Sequence, residues 1–494
     1  MTDNKNSYRQ VMKATSLFGG VQVFNILIRL IRSKVIALLI GPAGMGITTL
    51  LDSTLNLVNG LTNFGLDRSA VKDISLSNSN SDKEQVSKTV SILKKLVWLT
   101  ITIGIIIMIV LSPLLSEIAF GNKNYTIHFI WISIALLFKQ LSSSQLAILQ
   151  GLRKLKSLAK ANLLGNFIGL LITLPLYYYF RIDAIVPAII IASFMSFLFT
   201  FFYSKNIPLI PIKISGKEAI SEGKSMIHLG VMLSLSSMIS LAVAYMLRIY
   251  ISKYGGISEV GLYGAGFIIL NSYVGIIFNA MGTDYFPRLA AISEEIVKIR
   301  KTVLEQALIA ILLITPIIVL FLTFAPYIII LLYSTKFTPI VAMVTWGILG
   351  MIFKAVSWSM GYIIIAKGDS KVFIKTAIGF NSILLLVNIL GYNYGGLEGL
   401  GISFFIYYII HFIAIKIITY YRYNFYFEKG FYKIFIFTIL LCVTAFMFSY
   451  ISDEMLKYSL LGIVIIISTF YSYKELDKKL DIKKFITELY KRKK

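Results

Sequence analysis

Cysteine is almost absent. Cys442 is the only one in 494 residues, so no disulfide can form within the chain. With His128, His228 and His411 as the only histidines, a histidine- or cysteine-built metal centre is excluded by supply. Charge is scarce too: Asp, Glu, Lys and Arg make up 15% of the residues, against roughly 25% in soluble domains. A water-soluble protein could not cover itself with so little polar surface. No cofactor motif is legible. What is present is apolar: 57% hydrophobic residues and a mean hydropathy of +0.78.

The apolar residues come in runs long enough to span a bilayer, about 20 residues each. Fourteen spans are expected, near 12–40, 45–67, 90–112, 125–149, 160–180, 184–203, 225–251, 257–285, 302–324, 338–366, 370–392, 396–421, 431–451 and 456–473. The chain is therefore predicted to be an all-α polytopic membrane protein. Its polar start, "MTDNKNSYRQ", leads into an apolar run too long for a signal-peptide core, so span 1 is expected to be retained.

Basic residues orient the spans, because cytoplasmic loops collect Lys and Arg. Connections on one side hold only Lys123, Arg181, Lys253, Lys336 and Lys457, while Arg29, Arg32, Lys34, Lys139, Arg248 and Lys354 fall inside spans. The rest of the 48 basic residues lie in the opposite loops and the two termini, which predicts both ends in the cytoplasm. This distribution also accounts for the net charge of +24 without nucleic acid, which needs basic residues gathered on one folded face. In the tail, Leu476, Leu480, Phe485, Ile486 and Leu489 share one side of a helix with lysines elsewhere. Such a helix lies on the inner leaflet or docks a partner.

A repeat is visible within the chain. Gly44–Asp67, "GMGITTLLDSTLNLVNGLTNFGLD", aligns without gaps to Gly261–Asp284, "GLYGAGFIILNSYVGIIFNAMGTD", at an offset of 217. The alignment matches Gly44 with Gly261, Gly65 with Gly282 and Asp67 with Asp284, and Arg32 and Arg248 stand upstream at similar distances. Six-span parallel repeats are a known way to build transporters. The division expected is an N-lobe 1–206, a linker 207–224, a C-lobe 225–421, spans 13–14 in 422–473 and a basic tail 474–494.

Two polar stripes run through the first two spans. Gln22, Asn25, Arg29 and Arg32 step by three or four, and so do Asp52, Asn56, Asn59 and Asn63, which places each set on one helix face. Each Arg or Lys at membrane depth costs roughly 2.5–3.5 kcal/mol on insertion scales, so such a group faces a wet cavity or a partner. Arginine grips phosphate oxygens in a fixed fork, and amides offer both donors and acceptors to sugar hydroxyls. The same amides could instead cement helices together.

The turn "IGPAGMG" at 40–46, the polar first helix, the six-plus-six duplication and two extra C-terminal spans resemble the Wzx-type O-antigen translocases. These form the polysaccharide-transport branch of the multidrug/oligosaccharidyl-lipid/polysaccharide exporter superfamily. The resemblance implies two pseudo-symmetric six-helix lobes around a central cavity that opens alternately to either side. It implies as cargo an undecaprenyl-diphosphate-linked oligosaccharide, O-antigen or a related surface glycan, moved to the periplasmic leaflet of the bacterial inner membrane before glycan polymerase machinery acts on it. The extra pair of spans departs from the twelve-span members and resembles the peptidoglycan lipid flippases.

Against that cargo, Arg29, Arg32, Arg248 and Lys354 are candidate diphosphate ligands, and Gln22, Asn25, Asn56, Asn59 and Asn63 candidate sugar ligands. Asp52 is a candidate for pairing with arginine or for coupling to H+ or Na+. Asp67 and Asp284 are candidates for a gate, or for helix ends paired with nearby arginines. Lys139, among "KQLSSSQ", serves the same cavity or packs polar groups. A drug/cation antiporter of the same superfamily would want a cavity dominated by carboxylates, and a membrane polymerase or ligase would want larger outer loops than this chain has.

Overall fold

The computed structural model describes residues 2–79, 82–273, 275, 278, 285–286 and 288–480. Gly282, Asp284 and the tail residues Phe485, Ile486 and Leu489 lie outside the described residues. The described chain is a succession of helices. Eight are long and apolar enough to cross a membrane, and the pair Thr335–Leu349 and Met351–Ala366, bent by 43°, adds a ninth.

Several of the described helices are twice the length of a span. Thr2–Thr62 runs 61 residues, Leu155–Ser204 runs 50, Lys224–Asn271 runs 48 and Ser370–Tyr423 runs 54, where about 20 residues suffice to cross. Each breaks near its middle for a local reason. Gly41 adopts φ 65°, ψ −167°, and is followed by Pro42, which has no N–H to continue the ladder. Gly256 adopts φ 83°, ψ 175°. Gly396 adopts φ 54° after Gly395, and Arg181 at φ 52° opens a 3₁₀ turn through Ala184. With these four counted as two halves each, and the five other long apolar helices and the bent pair as one each, the described residues give fourteen spans, span 8 only in part.

The breaks disclose a repeat register different from the expected one. Gly41 and Gly256, Arg153 and Gly368, and Arg181 and Gly396 all have positive φ, and in each pair the residue numbers differ by 215. The same step relates Trp131 to Trp346, Lys139 to Lys354, Asn166 to Asn381 and Tyr177 to Tyr392. The offset of 217 is thus corrected to 215, with Gly46 rather than Gly44 matching Gly261. The physical reason is close approach. A Cβ on Gly46 would lie 1.9 Å from the Ile257 carbonyl oxygen, and one on Gly261 would lie 1.9 Å from that of Pro42, so the two helix starts pack backbone to backbone.

Packing divides the chain into two compact units, Met1–Gly264 with Leu332–Lys336, and Ala265–Leu331 with Phe337–Lys494. The lobe boundaries drawn from the sequence concern repeat descent and remain a proposal. In the first unit, the amphipathic helix Leu66–Ser79 buries Leu66, Ala70 and Ile74 against Val90, Leu93 and Val97. Buried hydroxyls and amides cross-link its spans: Thr54 bonds to the Tyr245 hydroxyl at 3.0 Å, and Gln140 Nε2 donates to Thr62 Oγ1 at 3.0 Å. In the second unit, Ile296–Leu332 is largely buried, with Ile299, Val303, Ala307, Ile311 and Ile318 fully covered. Connections are closed by caps. Ser215 and Glu218 form a capping box, whose bonds from Ser215, its backbone N–H foremost, hold the Glu218 carboxyl below its usual range.

Candidate functional site

The polar stripes of spans 1 and 2 meet in the first unit. Arg32, half-buried, lies within electrostatic reach of Tyr177 and Asp52. Lys139, from the helix Thr126–Gly151, feels Asp52 as well and donates to Asn56 Oδ1. Arg248 lies within reach of Tyr263 and Asp52. Asp52 therefore stands within reach of cations from spans 1, 4 and 7. Charges at this depth persist only when balanced by partners or by a wet cavity.

A second cluster joins spans 1 and 5. Asn25 Nδ2 donates to Asn162 Oδ1 at 2.8 Å, and Asn166 Nδ2 donates to Asn25 Oδ1 at 2.9 Å and to Asn162 Oδ1 at 3.1 Å. This ring of three amides, with Arg29 and Arg32, lines a cavity of about 340 Å³ whose apolar wall includes Gly165, Gly169, Leu170 and Ala192. The glycines bring span 5 against span 6: a Cβ on Gly165 would lie 2.9 Å from Ser196 Cα. The volume falls within the range of small-molecule sites, roughly 300–1,000 Å³.

The remaining expected residues are placed as follows. Gln22 is exposed, and Arg29 is exposed with its Nε donating to the Asn25 carbonyl at 3.3 Å. The Asn59 Oδ1 is buried without a hydrogen-bond partner. The helix carrying the second stripe ends at Thr62, so Asn63 sits in the turn that follows and bonds Asp67 Oδ1 at 3.0 Å. Asp67 lies in the first turn of Leu66–Ser79, where a carboxylate suits the helix dipole. The gate partner Asp284 is outside the described residues.

Lys354 belongs to the second unit. Its Nζ donates to Asn271 Oδ1 at 3.3 Å and faces the rings of Phe278 and Tyr408 at 5.5 and 5.2 Å. Asn271 sits in a π-helical turn, Ile269–Tyr273. His228 is exposed, and His411 packs between Phe380 and Tyr407 at 4.3 and 5.8 Å.

Sequence reasoning missed Tyr177, Asn162 and Asn166. The two asparagines, four apart in an apolar helix, were a legible signal of the same kind as the stripes. Tyr177 carried none until the repeat register paired it with Tyr392.

The family model described as "Polysaccharide biosynthesis protein" matches residues 35–342. The lipid III flippase of Escherichia coli (strain K12) is 23% identical over 373 residues, covering 72% of this chain and 85% of that protein. A putative O-antigen transporter of Shigella flexneri is 24% identical over 297 residues, 58% of this chain and 68% of that one. Among solved structures, the lipid II flippase MurJ in an inward closed conformation matches with a TM-score of 0.66 at 14% identity, over 94% of this chain and 99% of that one. An inward-facing multidrug resistance MATE family transporter of the MOP superfamily also reaches 0.66 at 14% identity, over 84% and 96%. These likenesses show the fold.

Proposed function

Since this chain belongs to the polysaccharide biosynthesis protein family, we propose that it is a flippase for undecaprenyl-diphosphate-linked oligosaccharide. It is a transporter and makes or breaks no bond in its cargo. It carries the glycan headgroup, O-antigen or a related surface unit, from the cytoplasmic to the periplasmic leaflet of the bacterial inner membrane, with both of its own termini on the cytoplasmic side.

The observation that carries this reading is the gathering of cations around Asp52. Arg32, Lys139 and Arg248 all lie within electrostatic reach of it, which concentrates positive charge at membrane depth. Such a cluster suits a diphosphate, of which Arg32 can grip two oxygens. Arg29 and Arg248 complete the diphosphate ligands in this unit, and Lys354 is the corresponding cation of the second repeat. The amides Asn25, Asn56, Asn59 and Asn63, with Gln22, meet the sugar. The same cations oppose a cationic drug, so the antiporter reading is not favoured.

The lipid tail stays in the bilayer while the headgroup crosses. Moving a diphosphate outward against an inside-negative potential costs about 2.3 kcal/mol per charge per 100 mV, and the bound cations mask that charge. Three cation neighbours give Asp52 a charge-balancing role, which competes with its use as an H+ or Na+ site. Transport by Asp52→Asn at several pH values and Na+ concentrations separates the two: unchanged ion dependence removes Asp52 from coupling. Asp67 and Asp284 as a gate, and delivery to glycan polymerase machinery, complete the proposal.

The test is transfer of undecaprenyl-diphosphate oligosaccharide in proteoliposomes, wild type beside Arg32→Gln. Transfer by wild type and its loss in the variant are expected. Wild-type rates in Arg32→Gln would remove the arginine cluster from the path, and the reading with it.

A further inference from the structure

The first unit holds another cavity of about 350 Å³, apart from the polar stripes of spans 1 and 2. Its walls are the first three turns of the helix Lys83–Val110, the last turn of the helix Ile185–Ser204 and the non-helical stretch 207–213 that follows. Pro208 and Pro211 keep that stretch out of a helix. Its place is fixed all the same. The Ile210 N–H donates to Ser87 Oγ at 3.0 Å, and Ile207, Leu209 and Ile214 pack against the cluster that buries Val90 and Leu93.

Lysines from three places line this cavity: Lys94 from span 3, Lys205 at the end of span 6 and Lys213 from the extended stretch. Among the described residues no Asp or Glu lines it, and none of the three lysines forms an ion pair. Lys205 Nζ lies over the Phe202 ring at 4.8 Å. The Ser204 hydroxyl donates to Gln145 Oε1 at 2.7 Å, which leaves the Gln145 NH₂ as a donor for the cavity. Along span 6, Leu198, Phe201 and Phe202 are exposed, and their spacing puts them on one face that leads away from the lysines.

Membrane orientation asks for lysines on this side of the bilayer, but it does not ask them to converge on one cavity. The repeat shows that packing does not ask for them either. At the 215-residue register, Ile309 and Tyr420 stand where the first copy has Lys94 and Lys205, and Met360 stands where it has Gln145.

We propose that this cavity binds the phosphodiester of an anionic glycerophospholipid, taken from the leaflet on the lysine-rich side. Three ammonium groups supply the countercharge, and the Gln145 NH₂ donates to a phosphate oxygen. The exposed face of Leu198, Phe201 and Phe202 receives an acyl chain, a contact that a soluble phosphate cannot use. Because Lys213 belongs to the stretch leaving span 6 while Lys94 and Lys205 belong to the spans, the lipid pins that stretch to the helices. The site is independent of the cargo.

The experiment measures lipid retention by the purified full-length protein, read by native mass spectrometry. The probes are palmitoyl-oleoyl phosphatidylglycerol, phosphatidylcholine with the same chains, and inorganic phosphate. Wild type is expected to hold one phosphatidylglycerol about tenfold or more tighter than phosphatidylcholine. Combining Lys94→Gln, Lys205→Gln and Lys213→Gln removes that preference. Combining Lys371→Gln, Lys375→Gln and Lys429→Gln, which takes the same charge from exposed lysines outside the cavity, retains it. Equal retention of the two lipids by wild type overturns the site, and so does an equal loss in the two triple variants, which would make the effect one of diffuse charge. Displacement of phosphatidylglycerol by inorganic phosphate at equal concentration would assign the cavity to the free ion and overturn the lipid. Should the first triple variant not fold, Lys94→Gln alone is expected to weaken phosphatidylglycerol about fivefold, and unchanged retention there overturns the site.

Discussion

Lys354 Nζ stands 3.3 Å from Asn271 Oδ1, and the same pair occurs 215 residues earlier, where Lys139 donates to Asn56. The two differ in their neighbours. Asp52, within reach of Lys139, corresponds to Phe267 in the second copy, so Lys354 leans on an amide and two aromatic faces. A lysine–asparagine bond thus joins two spans in both copies, and a carboxylate stands beside it in the first.

That asymmetry predicts opposite stabilities. Asp52→Asn removes the countercharge near Arg32 and Lys139 and should destabilise the protein by roughly 3 kcal/mol, as breaking buried ion pairs does. Lys354→Met removes a charge with no carboxylate partner among the described residues and fills similar volume, so it should stay within about 1 kcal/mol of wild type or be more stable. Thermal unfolding in detergent compares them, and equal losses would refute the distinction.

Arg32 should be intolerant even of lysine. Arg32→Lys keeps the charge near Asp52 and Tyr177 but gives up the planar fork. Flipping in proteoliposomes is expected to fall by about tenfold with folding retained, and full activity would show that charge alone suffices.

Glycine is required where the two helix starts cross. Gly261→Ala would put a Cβ 1.9 Å from the Pro42 carbonyl oxygen, and overpacking of this kind costs about 1–3 kcal/mol or more. Gly361→Ala, at a helical glycine with no heavy atom within 4 Å of its Cβ position, should be harmless. Yield of monodisperse protein and its Tm test the contrast.

Asp369 ties a loop together and makes part of the stability pH-dependent. The Val372 N–H, bonded to its carboxylate at 3.2 Å, and then the Arg422 and Tyr423 side chains, each at 3.2 Å, hold its pKa below the usual 3.8. A depressed carboxyl contributes stability that is complete above its unfolded value and lost as pH falls through its folded one. Asp369→Asn should therefore lower Tm at pH 7, and the gap to wild type should close under acid below pH 3.8; a gap that persists there would assign the effect to geometry instead of charge.

The residues themselves determined the membrane class and the fourteen spans, because apolar length and the side on which lysines collect are local properties that a bilayer reads directly. Asp52, Arg32, Arg248 and Lys354 were likewise legible, since a charge is conspicuous in an apolar run. The repeat was visible, but in the wrong register. A few glycines and aspartates within one short segment fixed an offset of 217, whereas the matches at 215 are spread from Gly41 to Gly396 and are tied together by backbone breaks. Only the tertiary structure decided which polar groups meet. Asn25 and Asn162 are 137 residues apart, Asn56 and Lys139 are 83 apart, and Tyr177 comes to Arg32 from another helix. Periodicity tells which face of its own helix a side chain occupies. Which other helix lies against that face is set by packing, and here by Gly46, Gly165 and Gly261, where the missing side chains let backbones close to contact.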